Sequence, residues 1–190
     1  AFPEDAEPFY DAYVKNPSQQ TNYTVPYVLS RSPLQNGAYD AFVHETYTQV
    51  PDETRQALSD ILSELVGEED ADPYQYIPRV LEYVSTSARY DLNTPAVPDG
   101  EDFVSWFLHD SETGYCVHYA TAATILLRCL GVPARYVTGY YTDVYENEWT
   151  TVTSDDAHAW VEIYLNGIGW LRDDPTPAAD TPAQTAPEEP

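Results

Sequence analysis

The 190-residue chain has no methionine and one lysine, Lys15, and its only sulfur is in two cysteines, Cys116 and Cys129. Its 8 cations face 32 acidic residues, for a formal net charge of −24 and a pI near 4.1. Phosphate backbones are held by clustered Lys and Arg, so nucleic acid is excluded as a partner. Anionic lipid headgroups are disfavoured for the same reason. No stretch approaches the roughly 20 apolar residues of a membrane helix. The best run, Tyr119 to Leu127, is far too short. The chain opens Ala-Phe-Pro-Glu-Asp without a basic n-region or an apolar h-region. The expectation is a piece of a longer protein, or a processed form, with any anchor or signal outside it.

Cys116 and Cys129 both fall within one helical pattern from Cys116 to Leu130. Thirteen positions at about 1.5 Å each set them roughly 20 Å apart. A disulfide tolerates about 7 Å between Cα atoms, so the two thiols cannot pair.

With 43% apolar residues the chain can bury a core. Residues 1–36 carry Pro3, Pro8, Pro17, Pro26 and Pro33 without a sustained period, which predicts an extended arm with a short helix near Phe9 to Val14. Asn22-Tyr23-Thr24 matches a glycosylation sequon, a common tripeptide. Residues 37–177 are expected to form the folded domain. Tyr39, Phe42, Val43 and Tyr47 share one helical face, and Pro51-Asp52-Glu53 opens a second helix that Gly67 closes. A third covers Asp72 to about Ser87, starting late or bending at Pro78. Tyr90 to Gly100 reads as a short extended segment and a loop, and Asp102 to His109 as a short helix. After Gly131 and Pro133 the pattern turns to strands, expected at Arg135–Tyr141, Trp149–Thr153, Ala157–Leu165 and Gly169–Asp173. Helices first and strands second predict an α+β fold with an antiparallel sheet. Residues 178–190, rich in Pro, Thr and Ala, read as a disordered linker.

Cys116 follows Thr113-Gly114-Tyr115 into the N-terminus of a long helix, where unpaired N–H groups and the helix dipole favour a thiolate. Cys129, at the other end of the same helix beside Leu126, Leu127 and Leu130, reads as core. A thiolate enzyme needs a base and a group to orient it. His158 opens one strand of a hairpin, and Asp173 and Asp174 close the other. His44, His109 and His118 lack a comparable context, and Cys116-x-His118 is not a zinc spacing, so neither metal nor cofactor is expected. A strict two-residue turn at Asn166-Gly167 would set His158 opposite Pro175, with Asp173 on its face. An odd loop or a glycine bulge would make paired numbers sum to 332 and set it opposite Asp174.

Four blocks, Gly114-Tyr-Cys-Val-His-Tyr-Ala120, Leu130-Gly-Val-Pro-Ala-Arg-Tyr-Val-Thr-Gly-Tyr140, His158-Ala-Trp-Val-Glu162, and Gly169-Trp170 with Asp174-Pro-Thr-Pro177, resemble the bacterial transglutaminase-like domain. The resemblance covers Gly114 to Pro177; upstream, Tyr39 to Pro95 matches only in its succession of helices. It implies a papain-like core with Cys116 as nucleophile, His158 as base and Asp174 as orienter, and so selects the odd loop. It implies acyl-thioester chemistry on a glutamine-like carboxamide of a protein or peptide, with an amine or water as acceptor. The first oxyanion donor would be the Cys116 N–H, with Trp106 and Tyr90 as aromatic candidates for the second, although core packing is the simpler reading of both. Trp160 and Trp170 are expected as aromatics of the site wall. A cysteine peptidase acting on proteins or cell-wall peptides is the first alternative, and a catalytically silent peptide-binding module the second. Such domains commonly sit outside the membrane within anchored proteins, so an extracytoplasmic location and a tether through segments absent from this chain are expected.

Overall fold

The structure, a computed structural model, describes residues 7–9, 13–15, 37–67, 71–143 and 149–177. The chain divides into two units, Ala1–Pro33 and Leu34–Pro190. In the first, β1 (Glu7–Phe9) pairs antiparallel with β2 (Tyr13–Lys15), Pro8 facing Val14. Phe9, Tyr13 and Val14 thus stand on paired strands and not in the helix expected near Phe9 to Val14. Aromatic and β-branched residues favour extended backbone, and an isolated helix of so few residues does not hold. The rest of the expected arm, its sequon and the linker at 178–190 lie outside the described residues.

The second unit begins with α1 (Gly37–Tyr47). Asp52 and Glu53 then complement the N-terminus of α2 (Asp52–Ala57). The single helix expected from Pro51 to Gly67 is broken at Leu58, whose φ of −103° and ψ of 10° separate α2 from α3 (Ser59–Val66). Leu58 is fully buried at the break. Its helical periodicity was readable, but the local unwinding that seats it was not. Gly67, with φ 65°, closes α3. Asp72 caps a 3-10 turn at Pro73–Tyr76, which runs into α4 (Ile77–Thr86). Pro78 falls in the first turn of α4, where its missing N–H has no intrahelical acceptor, so the helix starts late and does not bend.

β3 (Arg89–Tyr90) pairs parallel with β4 (Thr113–Gly114), with α5 (Phe103–His109) between them in the chain. Asp102 caps α5 by accepting from the N–H groups of Val104 at 3.0 Å and Ser105 at 2.9 Å. α6 (Cys116–Cys129) follows, and Gly131, with φ 84°, turns the chain away from it. β5 (Ala134–Tyr140), β6 (Ala157–Leu165) and β7 (Gly169–Asp173) form one antiparallel sheet in that order, so the fold is α+β as expected.

The expected strand at Trp149–Thr153 is absent. Trp149 is exposed, and the Thr153 N–H donates to Asp156 Oδ2 at 2.7 Å, winding the chain into a 3-10 turn at Ser154–Asp156. α6 is the centre of the core. Its Tyr119, Ala122, Ala123, Leu126 and Leu127 are buried together with Val80 and Val84 of α4, Phe107 of α5, and Val161 and Ile163 of β6. Each large apolar side chain there contributes about 1.5–3 kcal/mol of transfer free energy. This burial fixes the head of α6 against β6. No helix among the described residues is long and apolar enough to cross a membrane.

Candidate active site

Cys116 is the first residue of α6, and Tyr115 before it is extended, with φ −128° and ψ 176°. The parallel β3–β4 pair sets this entry and places Tyr90 beside Gly114. Gly114 is required by space. A Cβ there would lie 2.5 Å from a Phe107 ring carbon and 3.2 Å from the His118 Cβ. Cys116 packs on Ala120 of its own helix and Ala159 of β6, two small side chains that let helix and strand approach. Cys116 thus stands at the N-terminal end of α6, the positive end of the helix dipole.

His158 is the second residue of β6 and pairs with Gly139 of β5. It shares with Cys116 a cleft of about 660 Å³, walled also by Tyr90, Leu92, Tyr140 and Asp155. The Nε2 of His158 lies 2.6 Å from Asp174 Oδ2. With the Nε2 proton donated to that carboxylate, the neutral imidazole has its lone pair on Nδ1. Burial pushes the Asp174 carboxyl up, but hydrogen bonds from His158 and Thr176 outweigh it and hold the group below its ordinary value. The structure therefore brings Cys116 and His158 to one cleft and Asp174 to His158.

The hairpin reaches this arrangement by a register two residues away from the expected one. Leu165 pairs with Gly169 and Val161 with Asp173, so paired numbers sum to 334. The loop is odd, as expected, with Asn166, Gly167 and Ile168 unpaired. The Ile168 N–H closes a turn on Leu165 O at 3.0 Å, and Gly167 and Gly169 take φ of 76° and 104°. Ile168 is thereby the extra residue of a bulge after the turn. Sums of 332 and 334 have the same parity, so Asp174 keeps the face of His158 but reaches it diagonally, past the last ladder pair. Asp173 is exposed, and its carboxylate accepts the Asp174 N–H at 2.8 Å.

The other candidates separate cleanly. Cys129 is the last residue of α6, and burial pushes its thiol up. His118 is buried among Phe103, Phe107 and Tyr115, accepts the Tyr115 N–H at Nδ1 over 3.4 Å, and is held below its ordinary value by desolvation. His109 meets Asp60 at 2.9 Å and His44 meets Asn166 at 3.1 Å. Trp106 is buried in the core, whereas Tyr90 lines the cleft. Burial, and secondarily the Cys116 sulfur, hold the Tyr90 phenol above its ordinary value, so it is a donor at neutral pH. Trp160 lies 6.3 Å from the His158 ring, near parallel. Trp170 does not reach the site wall. It packs on Tyr47 and Tyr164 beneath Arg135, at the turn end of the same sheet face.

Two neighbours of the pair escape a reading of the sequence. Tyr141 comes within 6.0 Å of the His158 ring, and Arg172 donates to Asp174 at 3.3 Å. Arg172 shares strand parity with Asp174, which was the available signal.

The profile of the transglutaminase-like superfamily matches residues 60–175, more than half of the chain. The chain belongs to that superfamily. It is 29% identical over 179 residues to the protein named "Uncharacterized protein YebA" of Bacillus subtilis, covering 86% of this chain and 24% of YebA. Over 89 residues it is 44% identical to a protein-glutamine gamma-glutamyltransferase of Pseudomonas aeruginosa, covering 46% of this chain and 13% of that protein. The crystal structure of the periplasmic domain of TgpA from Pseudomonas aeruginosa bound to ethylmercury superposes with a TM-score of 0.60 at 33% identity, over 72% of this chain and 49% of that one. The chain thus spans a quarter or less of the length of these two curated relatives.

Proposed function

We propose that this domain is a Cys–His–Asp acyltransferase that forms a thioester on Cys116 with a glutamine-like carboxamide of a protein or peptide. The observation that carries the reading is that Cys116, at a helix head, and His158 line one cleft, with Asp174 2.6 Å from His158 Nε2. The relative named as a glutamyltransferase supports the choice of substrate.

In this reaction His158 Nδ1 takes the Cys116 proton, and the sulfur attacks the carboxamide carbon. The oxyanion is met by the Cys116 N–H and by the Tyr90 hydroxyl, which lines the same cleft. The C–N bond breaks, ammonia leaves with the proton from His158, and a thioester remains. A primary amine then attacks the thioester carbon, loses its proton to His158, and the thiolate departs. Water in its place gives the carboxylic acid. A chain of net charge −24 favours the approach of cationic amine partners. The likeness to a periplasmic domain supports an extracytoplasmic setting, with a membrane tether in segments beyond this chain.

The test is mass spectrometry of a glutamine-bearing peptide incubated with the domain and a primary amine. Gain of the amine with loss of ammonia is expected. Deamidation alone would make the protein a hydrolase, backbone cleavage a peptidase, and an unchanged peptide would overturn the reading.

A further inference from the structure

The carboxylate that holds His158 has a second charged neighbour. Arg172 lies on β7, and its partner across the ladder is Glu162. That carboxylate is already engaged by Arg135, whose Nε donates to it at 2.7 Å. Arg172 reaches toward the strand end instead. Its guanidinium carbon lies 4.6 Å from the centre of the Tyr141 ring and 5.2 Å from that of Trp160. Its Nη2 donates at 3.3 Å to Asp174 Oδ2, the same oxygen that faces His158 Nε2. The remaining oxygen, Oδ1, accepts the Thr176 N–H at 3.2 Å.

We propose that Arg172 is a positioning residue, whose guanidinium, bracketed by Tyr141 and Trp160, fixes the rotamer of Asp174 and through it the plane and tautomer of His158. Asp174 stands just past the last ladder pair, where the strand no longer constrains it. His158 and Thr176 alone would leave the carboxylate free to rock about its two torsions. A third donor on a planar, permanently charged group removes that freedom.

The bracket is itself prepared. Trp160 Nε1 is buried with no hydrogen-bond partner among the described residues, so packing holds the indole in place. Gly139 makes room for it, since a Cβ there would lie 2.7 Å from Trp160 Cη2. A lysine could restore the charge but not the flat fork that two ring faces and a carboxylate share.

The experiment is proton NMR of the Cys116→Ala protein, following the downfield ring N–H resonance of His158 hydrogen-bonded to Asp174, with Arg172→Ala and Arg172→Lys introduced in turn. Arg172→Ala is expected to abolish or broaden this resonance while circular dichroism and Tm stay at the parent values. Arg172→Lys should restore it only in part. In the active protein Arg172→Ala should lower kcat about ten- to hundredfold, the scale of a small misplacement of a reacting group. KM should stay within about twofold, because the interaction lost is not one with substrate. An Arg172→Ala resonance unchanged in position and width would overturn the proposal, as would full restoration by lysine. Only the kinetic arm rests on the acyltransferase reading. A parent protein that shows the resonance but no turnover would tell against that reading and leave the role of Arg172 standing.

Discussion

Asp174→Asn tests the geometry most finely, because every contact of this carboxylate requires an acceptor. Oδ2 accepts from His158 and Arg172, and Oδ1 from the Thr176 N–H. An amide has one oxygen, so one side must set N–H against N–H. Turning its oxygen to His158 and Arg172 saves two bonds and sacrifices one, and the amide is expected to lie that way. The imidazole then keeps its tautomer but loses the charge that stabilises imidazolium. Replacing a hydrogen bond to a charged group, about 1.5–3 kcal/mol, by a neutral one of about 0.5–1.5 kcal/mol costs about 1–1.5 kcal/mol. The opposed donors at Thr176 add a further penalty of about 1 kcal/mol or more. Together these predict a loss of about 2–3 kcal/mol, or about 30- to 160-fold in kcat. Asp174→Ala serves no donor and should fall further, by about 10³–10⁴. Asp173→Asn should stay within about twofold, as exposed substitutions do. The assay is the steady-state rate of amine incorporation, with folding checked by circular dichroism. A wild-type rate for Asp174→Asn, or a larger loss for Asp173→Asn, would refute the reasoning.

Iodoacetamide at about pH 6 should label Cys116 and spare Cys129, as read by peptide mass spectrometry, since thiolate character controls the rate. Equal labelling would remove the distinction between the two ends of α6. Gly114→Ala should lower stability by about 1–3 kcal/mol in urea unfolding, because its methyl group meets the Phe107 ring. The folded Asp174 carboxyl lies below its ordinary value, so its contribution to stability is present above the carboxylate range and lost as pH falls through the folded value. Below about pH 4 the Tm of the wild type should therefore fall more steeply than that of Asp174→Asn. Parallel slopes would show that the pair adds nothing to the folded state. Tyr90→Phe should lower kcat by about tenfold or more if its hydroxyl meets the oxyanion, and an unchanged kcat would remove it from the site.

What the sequence made readable followed from local rules. Thr113-Gly114-Tyr115 before the long apolar periodicity of α6 identified both the helix head and the cysteine upon it. Alternation in Ala157–Leu165 placed His158 on a strand. The failures lie where tertiary contacts override local preference. Leu58 breaks a continuous helical period because the core takes its side chain. Thr150 to Thr153 has strand-like composition, yet Thr153 and Asp156 bond to each other instead. At the hairpin, two glycines announced an irregular turn but not which residue would bulge, and the register differed by two. The contact between His158 and Asp174 forms despite that error, because a shift of two leaves each side chain on its face. Trp170 shows the limit of the same logic, since sharing a face with Trp160 did not bring it to the same end of the sheet.

Cys116 is the residue proposed to carry the acyl group. The most direct measurement is intact-mass and peptide-mass analysis of the domain quenched in acid within its first turnovers on a glutamine peptide. An adduct of the peptide less ammonia is expected on the fragment containing Cys116, removed by added amine and absent from Cys116→Ala. An adduct on any other residue, or turnover undiminished in Cys116→Ala, would contradict it.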